Sequence, residues 1–437
     1  MRISVFGLGY VGAVSAACFA KSGHTVVGVD PDENKLRPIR EGESPIVEKD
    51  LGEYLAESVA AGRLSVTSSA KDAVTATDVS LICVGTPSRP NGSLSTEYIE
   101  RVCSEIGEAL RDHDGYHCVV IRSTLVPGTF ESLVIPTLER ASGKKVGEGF
   151  GVAMNPEFLR EGSAIFDFHN PPFTVIGTPF DRDFELVAAI YEGVQAPVFH
   201  TRLREAEMIK YVCNWFHALK VTFTNEVGMM CKAEGVDARR VMEIFCLDTK
   251  LNISTYYMKP GFAFGGSCLP KDVKAAVYRS RQLDIPLPVL EAIMPCNKLQ
   301  IERLVERIQR YGKKQIGLLG LSFKPGTDDL RDSPLVTLAE HLIGKGYRLR
   351  IFDPNVSYAA LFGSNKAFIE KEIPHIAEIL SDDADEVIRE AEVLIFSHNA
   401  PEFASLAPKT RAGQLCIDLA GVGRPEDYGG SYEGLYW

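Results

Sequence analysis

The chain has 437 residues, of which 45% are hydrophobic and 24% charged, and its formal net charge is −11. This length predicts two or three domains, and the composition predicts a soluble globular protein with a large core. The negative charge argues against nucleic acid or an anionic membrane surface as a partner. The sequence contains no secretory signal and no run of 18 apolar residues, so we predict a cytoplasmic protein without a membrane span.

The ten cysteines are scattered along the chain, without the Cys-x-x-Cys or Cys/His spacing of a metal site. We therefore expect no structural zinc. Most of the cysteines lie in apolar runs, where we expect reduced thiols that pack as small hydrophobic groups.

Short β-branched runs alternate with amphipathic segments in the first half of the chain, which is typical of a parallel α/β sheet. A helical pattern without proline covers residues 205–234, continues at 238–245, and predicts a connector that buries much of its surface. A second α/β alternation follows. The predicted strands are Ile3–Phe6, Thr25–Val29, Val79–Val84, Cys118–Ile121, Val152–Met154, Thr174–Ile176, Gln315–Leu319, Arg348–Phe352, Val393–Phe396 and Leu415–Asp418.

Residues 7–12 form a G-x-G-x-x-G motif between the first predicted strand and a helical pattern. In such a motif Gly7 makes the tight turn, Gly9 admits the pyrophosphate, and Gly12 packs helix against strand. Asp30 ends the second strand and would accept hydrogen bonds from the adenosine ribose. Because Pro31 and an acidic residue follow, with no arginine for a 2′-phosphate, NAD is favoured over NADP. A flavin site, or glycines retained only for packing, is the alternative.

A second candidate turn follows the strand at 315–319. Gly320 precedes Leu-Ser-Phe-Lys-Pro-Gly, which lacks the triple-glycine spacing. We expect a second Rossmann-like sheet that binds a nucleotide differently, with Lys324 offering a cation to a phosphate or ribose.

One cysteine has an unusual context. Residues 260–272 read Pro-Gly-Phe-Ala-Phe-Gly-Gly-Ser-Cys-Leu-Pro-Lys-Asp. The glycines allow close approach to a ligand, and Pro270 suits the first turn of a helix. Cys268 is thus expected at a helix N-terminus near Lys271, and both features stabilise a thiolate. We predict that Cys268 is a nucleophile.

The connector carries a narrow polar stripe of Lys210, Asn214, His217 and Asn225 among apolar residues. These side chains suit hydrogen bonding to a polyhydroxylated ligand. A polar seam at a dimer interface is an equally good interpretation.

Taken in order, the motifs MRISVFGLGYVG, ICVGTPS, NPEFLREG, EMIKYVCN, PGFAFGGSCLPKD and GLLGLSFKPGTDDLRDSP resemble those of the UDP-glucose/GDP-mannose dehydrogenase family along the whole chain. The resemblance implies two Rossmann-like doubly wound α/β domains joined by a long helical connector that carries homodimer contacts. We expect an NAD-binding domain at 1–202, the connector with the catalytic cysteine at 203–300, and a nucleotide-sugar-binding domain at 301–437.

Local features favour the GDP-mannose branch of this family. Leu269 follows the cysteine where UDP-glucose enzymes usually have phenylalanine, and the segment 171–177 lacks the arginine common there in those enzymes. Lys259 is a departure, since this branch looks to have arginine before Pro-Gly-Phe. The charge is retained but the planar fork is lost.

The resemblance further implies oxidation of the C6 hydroxyl of GDP-mannose to a carboxylate with two NAD⁺, as in alginate-type uronate synthesis. Cys268 would form a thiohemiacetal and then a thioester. Lys210 would stabilise the C6 oxyanion, with Asn214 as a second donor. Glu157 and Asp272, with Thr124 and an ordered water, would transfer protons and activate water.

The resemblance also implies which residues bind NAD and which bind the substrate. Among the substrate residues, the segment with Tyr256, Tyr257 and Lys259 would reach the site of the neighbouring subunit. The implied NAD contacts are Tyr10, Val11, Asp30, Lys35, Thr86, Thr124, Lys271 and Arg331. The implied substrate contacts are Glu161, Lys210, Asn214, His217, Asn225, Tyr256, Tyr257, Lys259, Phe262, Gly265 and Lys324.

Three other functions stay open at this point. A UDP-glucose 6-dehydrogenase would use the same chemistry on another nucleotide sugar. A non-catalytic nucleotide-sugar sensor would need no thiol, and a two-electron hydroxyacid dehydrogenase would share the N-terminal motif without using Cys268. The count of NADH formed per substrate distinguishes these functions.

Overall fold

The computed structural model describes residues 1–266, 268–312, 315–356 and 369–437. The chain divides into two compact units, Met1–Ala218 and Leu219–Trp437, which are described separately below. Among the described residues, no helix is both long enough and apolar enough to cross a membrane.

The first unit is built on an eight-stranded sheet in the order β3-β2-β1-β4-β5-β6-β7-β8. Every neighbouring pair is parallel except β6 and β7. The first six positions have the strand order of a dinucleotide-binding fold, with the topological switch point between β1 and β4. The strands are β1 Arg2–Phe6, β2 Thr25–Val29, β3 Leu64–Thr67, β4 Val79–Ile82, β5 Cys118–Ile121, β6 Gly151–Met154, β7 Thr174–Gly177 and β8 Val198–Thr201.

Helices cover both faces of this sheet, and the central strands are therefore buried and apolar throughout. One core cluster lies between the sheet and the side of α1 and α3, and a second lies on the side of α4 to α6. The helices are α1 Tyr10–Lys21, α2 Glu33–Arg40, α3 Leu51–Ala60, α4 Ala70–Ala76, α5 Glu97–Arg111, α6 Ile135–Ser142, α7 Ala164–His169 and α8 Asp181–Ala188, and a π-helical turn, Phe130–Val134, precedes α6.

A 31-residue helix, α9, runs from Leu203 to Ala233, and the division between the two units falls within it. The second unit continues with three more helices and then a five-stranded parallel sheet in the order β10-β9-β11-β12-β13. The elements are α10 Ala238–Cys246, α11 Leu269–Gln282, α12 Pro288–Arg310, β9 Gln315–Leu319, α13 Pro334–Gly344, β10 Arg348–Phe352, β11 Val393–Phe396, β12 Leu415–Asp418 and β13 Ser431–Gly434, with short helices at Ile376–Ile379, Ala384–Glu390 and Pro401–Ala404.

Two doubly wound sheets and a long connecting helix confirm the predicted fold class, and all ten predicted strands exist. β3, β8 and β13 were not predicted from the sequence, and they are edge strands with at most one fully buried residue each. Edge strands lack the continuous apolar run that identifies a central strand. The strand predicted at Val79–Val84 ends earlier, at Ile82, before the Gly85-Thr86-Pro87 turn.

The prediction that the connector buries much of its surface is wrong for the single chain. Between Val212 and Asn225 almost every residue of α9 is exposed, and Trp215, Leu219 and Val221 are 59%, 49% and 62% exposed. A pattern of apolar residues indicates a surface that is usually buried against protein. It does not show whether that protein is the same chain or a second one.

A buried histidine gives the first unit a pH-dependent stability. His117 lies within the sheet, where Ser80 Oγ is 2.7 Å from Nε2 and the Thr77 oxygen is 3.1 Å from Nδ1. Burial, with a smaller contribution from His113, lowers the pKa of His117 to about 4. The neutral ring is therefore part of the native state. The stability it contributes is complete above pH 6.5 and is lost as the pH falls toward 4.

We expect the free energy of unfolding to fall by about 3 kcal/mol between pH 7 and pH 4 through this residue. Urea unfolding of the wild type and His117→Gln at several pH values measures the difference, because other buried histidines contribute equally to both. His375→Gln, an exposed position, is the control. Parallel pH profiles for wild type and His117→Gln would contradict the assignment.

Candidate functional site

The loop after β1 has the backbone that a dinucleotide requires. Gly7 has φ +88°, and a Cβ there would lie 2.8 Å from Val84 Cγ1. A Cβ at Gly12 would lie 1.8 Å from the Gly7 oxygen, so only glycine allows α1 to pack this closely. At Gly9 a Cβ would meet no atom within 4 Å. The backbone is thus open to a ligand at the N-terminus of α1, where the helix dipole favours a phosphate.

Asp30 follows β2 and is only 3% exposed. Its carboxylate accepts hydrogen bonds from the Leu8 N–H at 2.8 Å, the Asp32 N–H at 3.0 Å and Lys35 Nζ at 2.9 Å. Gly7, Gly9, Asp30 and Lys35 line one cavity of 630 Å³. This cavity lies at the switch point of the sheet, where dinucleotide-binding folds hold their ligand.

The same cavity contains Arg101 of α5, which the sequence analysis did not consider. Its guanidinium lies 3.9 Å from Glu105. The residues that follow Asp30 in the sequence could not indicate this arginine, because it comes from a distant helix.

Four more of the predicted NAD contacts lie around these loops. The Thr86 hydroxyl donates to the Thr124 oxygen at 3.1 Å, which joins the loops that follow β4 and β5. Tyr10 donates its hydroxyl to Glu48 and lies beside Gly162, next to Glu161 in the chain. Val11 packs partly buried against the first core cluster.

α9 brings Lys210 against Glu157, which follows β6. Nζ lies 2.9 Å from Glu157 Oε1 and 2.6 Å from the Glu157 main-chain oxygen. The two side chains are only 10% and 12% exposed. An ammonium has three N–H donors, and these contacts use two, so one donor is left for a ligand.

A second cavity, of 420 Å³, adjoins this ion pair and is lined by Glu157, Phe158, Cys213 and His217 among others. The four residues of the predicted polar stripe therefore have different surroundings. His217 lines the cavity, whereas Asn214 is exposed on the helix surface and Asn225 is exposed in the second unit. Glu161 is also exposed.

A buried polar cluster that the sequence analysis missed supports the Glu157 segment. Arg122 is 4% exposed and donates to Asn155 Oδ1 at 2.7 Å. The Tyr191 hydroxyl donates to the same oxygen at 2.5 Å, and Asn155 Nδ2 donates to the Val175 oxygen at 2.9 Å. An arginine directly after the buried strand β5 was the available signal. The cluster fixes Asn155 two residues before Glu157.

In the second unit, Cys268 is the N-cap residue of α11, as predicted from the sequence, and the structure shows that it is exposed. Its glycine lead is sterically required. A Cβ at Gly265 would lie 2.4 Å from the Asp332 oxygen, and one at Gly266, with φ +92°, would lie 2.8 Å from the Phe323 ring. The lead therefore packs tightly against the loop that follows β9.

The charges around Cys268 differ in detail from the expectation. Lys271 lies 3.5 Å from Asp272, and both side chains are exposed. Arg331 forms hydrogen bonds with Asp329, which raise the pKa of the arginine, and a thiolate at Cys268 acts in the same direction. Arg331 is thus a cation close enough to Cys268 to interact with it electrostatically.

Most of the other substrate candidates line one cavity. It has a volume of 890 Å³, and its lining includes Tyr256, Tyr257, Lys259, Phe262 and Asn297. Asn297, on α12, was not predicted. It accepts from the Phe264 N–H at 2.9 Å and donates to the Phe264 oxygen at 2.8 Å, which holds the segment before the cysteine in place.

The five-stranded sheet repeats the β1–β2 turn with one change. Gly320, with φ +103°, follows β9 as Gly7 follows β1, and Asp353 accepts from the Leu321 N–H at 2.8 Å as Asp30 accepts from Leu8. However, the Ser322 hydroxyl also donates to Asp353, at 3.0 Å. A protein hydroxyl thus binds the Asp353 carboxylate, which stands at the position that corresponds to Asp30. Lys324 is exposed nearby, with Nζ 5.2 Å from the Phe323 ring centre.

The dinucleotide turn with a buried acid after the second strand is typical of an NAD-dependent dehydrogenase. Profiles of the UDP-glucose/GDP-mannose dehydrogenase family match residues 1–195 as its NAD binding domain, 204–299 as its central domain and 317–424 as its UDP binding domain. The chain belongs to the UDP-glucose/GDP-mannose dehydrogenase family.

Individual relatives span both branches of the family. The chain is 52% identical, over the full length of both proteins, to GDP-mannose 6-dehydrogenase of Azotobacter vinelandii. It is 40% identical to a UDP-glucose 6-dehydrogenase of Haloferax volcanii over 363 residues, which cover 81% of this chain and 83% of that protein. The crystal structure of a ternary complex of GDP-mannose dehydrogenase from Pseudomonas aeruginosa matches with a TM-score of 0.96 and 51% identity over all of both chains.

Proposed function

We propose that this protein is an NAD-dependent nucleotide-sugar 6-dehydrogenase that oxidises the C6 hydroxyl of GDP-mannose to a carboxylate, forming GDP-mannuronate. The observation that carries the proposal is an exposed cysteine at the N-terminus of α11, in a chain that matches GDP-mannose 6-dehydrogenases over its full length. A sensor or a two-electron dehydrogenase has no use for this thiol. UDP-glucose oxidation is the nearest alternative and is favoured less, because identity to that branch is lower.

Most of the proposed NAD contacts belong to the first unit. Gly7, Gly9, Gly12, Asp30 and Lys35 have the steric and polar features described above, and we propose Tyr10, Val11, Thr86, Thr124, Lys271 and Arg331 as further contacts. Two NAD⁺ molecules, bound one after the other, would each accept one hydride and so supply the oxidant for the two steps.

The chain's own residues supply the remaining chemistry. Lys210 and Asn214 donate hydrogen bonds to the C6 oxygen and stabilise its negative charge. Cys268 adds its sulfur to the aldehyde carbon, which keeps the reactive aldehyde bound as a thiohemiacetal. The second oxidation leaves a thioester, which water cleaves to release the carboxylate and restore the thiol.

Proton transfer needs a base near the C6 oxygen and another near the hydrolytic water. Glu157 is held 2.9 Å from Lys210, and Asp272 lies four residues after Cys268 on α11. We propose that these two carboxylates, with Thr124, divide the proton transfers.

The substrate is held by Glu161, His217, Asn225, Tyr256, Tyr257, Lys259, Phe262, Gly265 and Lys324.

Counting NADH with GDP-mannose and UDP-glucose side by side tests the reaction and the substrate together. We expect two NADH per GDP-mannose consumed. We also expect the kcat/KM for UDP-glucose to be at most about a hundredth of the value for GDP-mannose. One NADH per substrate would indicate a two-electron enzyme, and binding without NADH would indicate a sensor. Equal kcat/KM on both sugars would contradict the GDP-mannose assignment alone.

We further propose that the protein acts in the cytoplasm and that its domains span residues 1–202, 203–300 and 301–437. We also propose that it forms a homodimer through α9 and α10. In support, exposed apolar side chains are concentrated between Met208 and Met258. Large exposed apolar patches mark association surfaces.

If the Tyr256–Lys259 segment completes the neighbouring subunit's site, Lys259→Ala and Cys268→Ala chains should complement each other. In a random mixture half of the dimers are mixed and each has one intact site, so about a quarter of wild-type activity is expected. Each variant alone is the control. No recovery after exchange, verified with two affinity tags, would contradict a shared site.

A further inference from the structure

Glu207 is a fully buried carboxylate that has no role in the proposed chemistry. It lies on α9 and has no exposed surface. Oε2 accepts the Gly128 N–H at 2.6 Å, and Oε1 accepts the Phe130 N–H at 2.9 Å. Both oxygens therefore bind main-chain donors from a single loop, which is the strong, charge-assisted form of hydrogen bond.

This loop follows β5 and contains Thr124. Its first half is held by the Ser123 hydroxyl, which donates to the Val84 oxygen at 2.6 Å, and by the bond between Thr86 and Thr124. Its second half turns at Gly128, with φ +93°, into the π-helical turn that begins at Phe130. The N–H groups at such a start have no partner within the turn. Glu207 supplies that partner.

The same helix carries Lys210 one turn further on, so the side chains of residues 207 and 210 share one face of α9. Glu207 holds the Thr124 loop, and Lys210 holds Glu157 on the loop that follows β6. A single helical turn thus ties together two loops that follow neighbouring strands of the sheet.

We propose that Glu207 is a positioning residue, which sets the distance between the Thr124 loop and the Lys210–Glu157 pair. This inference rests on the proposed roles of Lys210 and Thr124. Glutamine cannot replace the residue, because its single amide oxygen takes the place of only one of the two carboxylate oxygens, and its NH₂ group would face the other N–H donor. Aspartate retains both acceptors on a stem that is one methylene shorter.

The test compares Glu207→Gln with Glu207→Asp, and uses Glu131→Gln as the matched control. Glu131 lies in the same region and pairs with Arg204 at 2.6 Å, but its side chain is 43% exposed, so its loss removes a charge without removing a buried acceptor. We expect Glu207→Gln to lower kcat about 10–100-fold per folded molecule, with the KM for GDP-mannose nearly unchanged. Glu207→Asp should recover part of kcat, and Glu131→Gln should retain all of it.

If Glu207 had a purely structural role, Glu207→Gln would have a lower melting temperature while its kcat per folded molecule stayed unchanged. That result for Glu207→Gln would overturn the proposal, as would equal kcat values for the Gln and Asp variants. Hydrogen exchange at the amides of Gly128 and Phe130 gives a readout independent of turnover. It should quicken in Glu207→Gln and not in Glu131→Gln, and unchanged protection would also overturn the proposal. Failure of the proposed function is separate, since the wild type would then not oxidise GDP-mannose.

Discussion

Cys268→Ala is expected to reduce uronate formation by several orders of magnitude while folding and NAD⁺ binding persist. The change removes one sulfur from an exposed N-cap position, so no core packing is lost. The first hydride transfer needs a base and an oriented C6 hydroxyl. The second needs a tetrahedral C6 that still bears hydrogen, and the thiol provides it by adding to the aldehyde. Residual turnover should therefore stop at the aldehyde.

Product analysis by mass spectrometry, with an aldehyde trap in the assay, measures this outcome. Cys296→Ala is a suitable control because that cysteine is also exposed and lies on α12 of the same unit. An alanine variant at 268 that formed uronate at near the wild-type rate would exclude Cys268 as the nucleophile.

Lys210→Met should give the second-largest loss, with kcat about 10²–10³-fold lower and NAD⁺ affinity unchanged. This magnitude is typical for removal of one donor to an oxyanion. Methionine keeps the apolar stem beside Phe158 but removes the ammonium that Glu157 faces. Part of the loss would therefore come from a carboxylate left nearly buried without its cation.

Thermal unfolding and steady-state kinetics of Lys210→Met separate these two causes, because a buried carboxylate without its cation lowers the melting temperature as well as activity. If the oxyanion contribution dominates, kcat per folded molecule falls by the full factor of about 10²–10³ although the melting temperature changes little. Lys232→Met, at an exposed position in the last turn of the same helix, controls for loss of a charge on α9. A Lys210→Met enzyme with more than about a tenth of wild-type kcat would contradict the oxyanion role.

The parts of this molecule that could be predicted from sequence are those with a local cause. Gly7, Gly12 and Asp30 are required by turn geometry and close packing within one β-α-β unit, so their spacing alone identifies them. The N-cap position of Cys268 was predictable because Pro270 marks the first turn of α11. Central strands were located to within a residue or two at most ends, since burial on both faces demands continuous apolar runs.

The residues that escaped prediction depend on contacts between distant segments. Asn297 forms hydrogen bonds with the main chain of Phe264, which lies 33 positions away in the sequence. Glu207 accepts hydrogen bonds from main-chain N–H groups of a loop that lies 77 to 79 positions earlier. Arg101 shares the Asp30 cavity only because α5 packs beside it. None of these side chains has a distinctive neighbour in the sequence. The exposed face of α9 escaped for a related reason, since a pattern of apolar residues does not identify the chain that covers them.

The central claim is that Cys268 carries the sugar as a covalent intermediate, and rapid-quench mass spectrometry of the intact protein tests it most directly. Wild-type enzyme mixed with NAD⁺ and GDP-mannose, then quenched in acid within the first turnover, should show an added mass equal to the GDP-sugar acyl group. Peptide mapping should place that adduct on Cys268, and Cys268→Ala should show none. Full uronate production with no adduct at any quench time, or an adduct on another cysteine, would contradict the account.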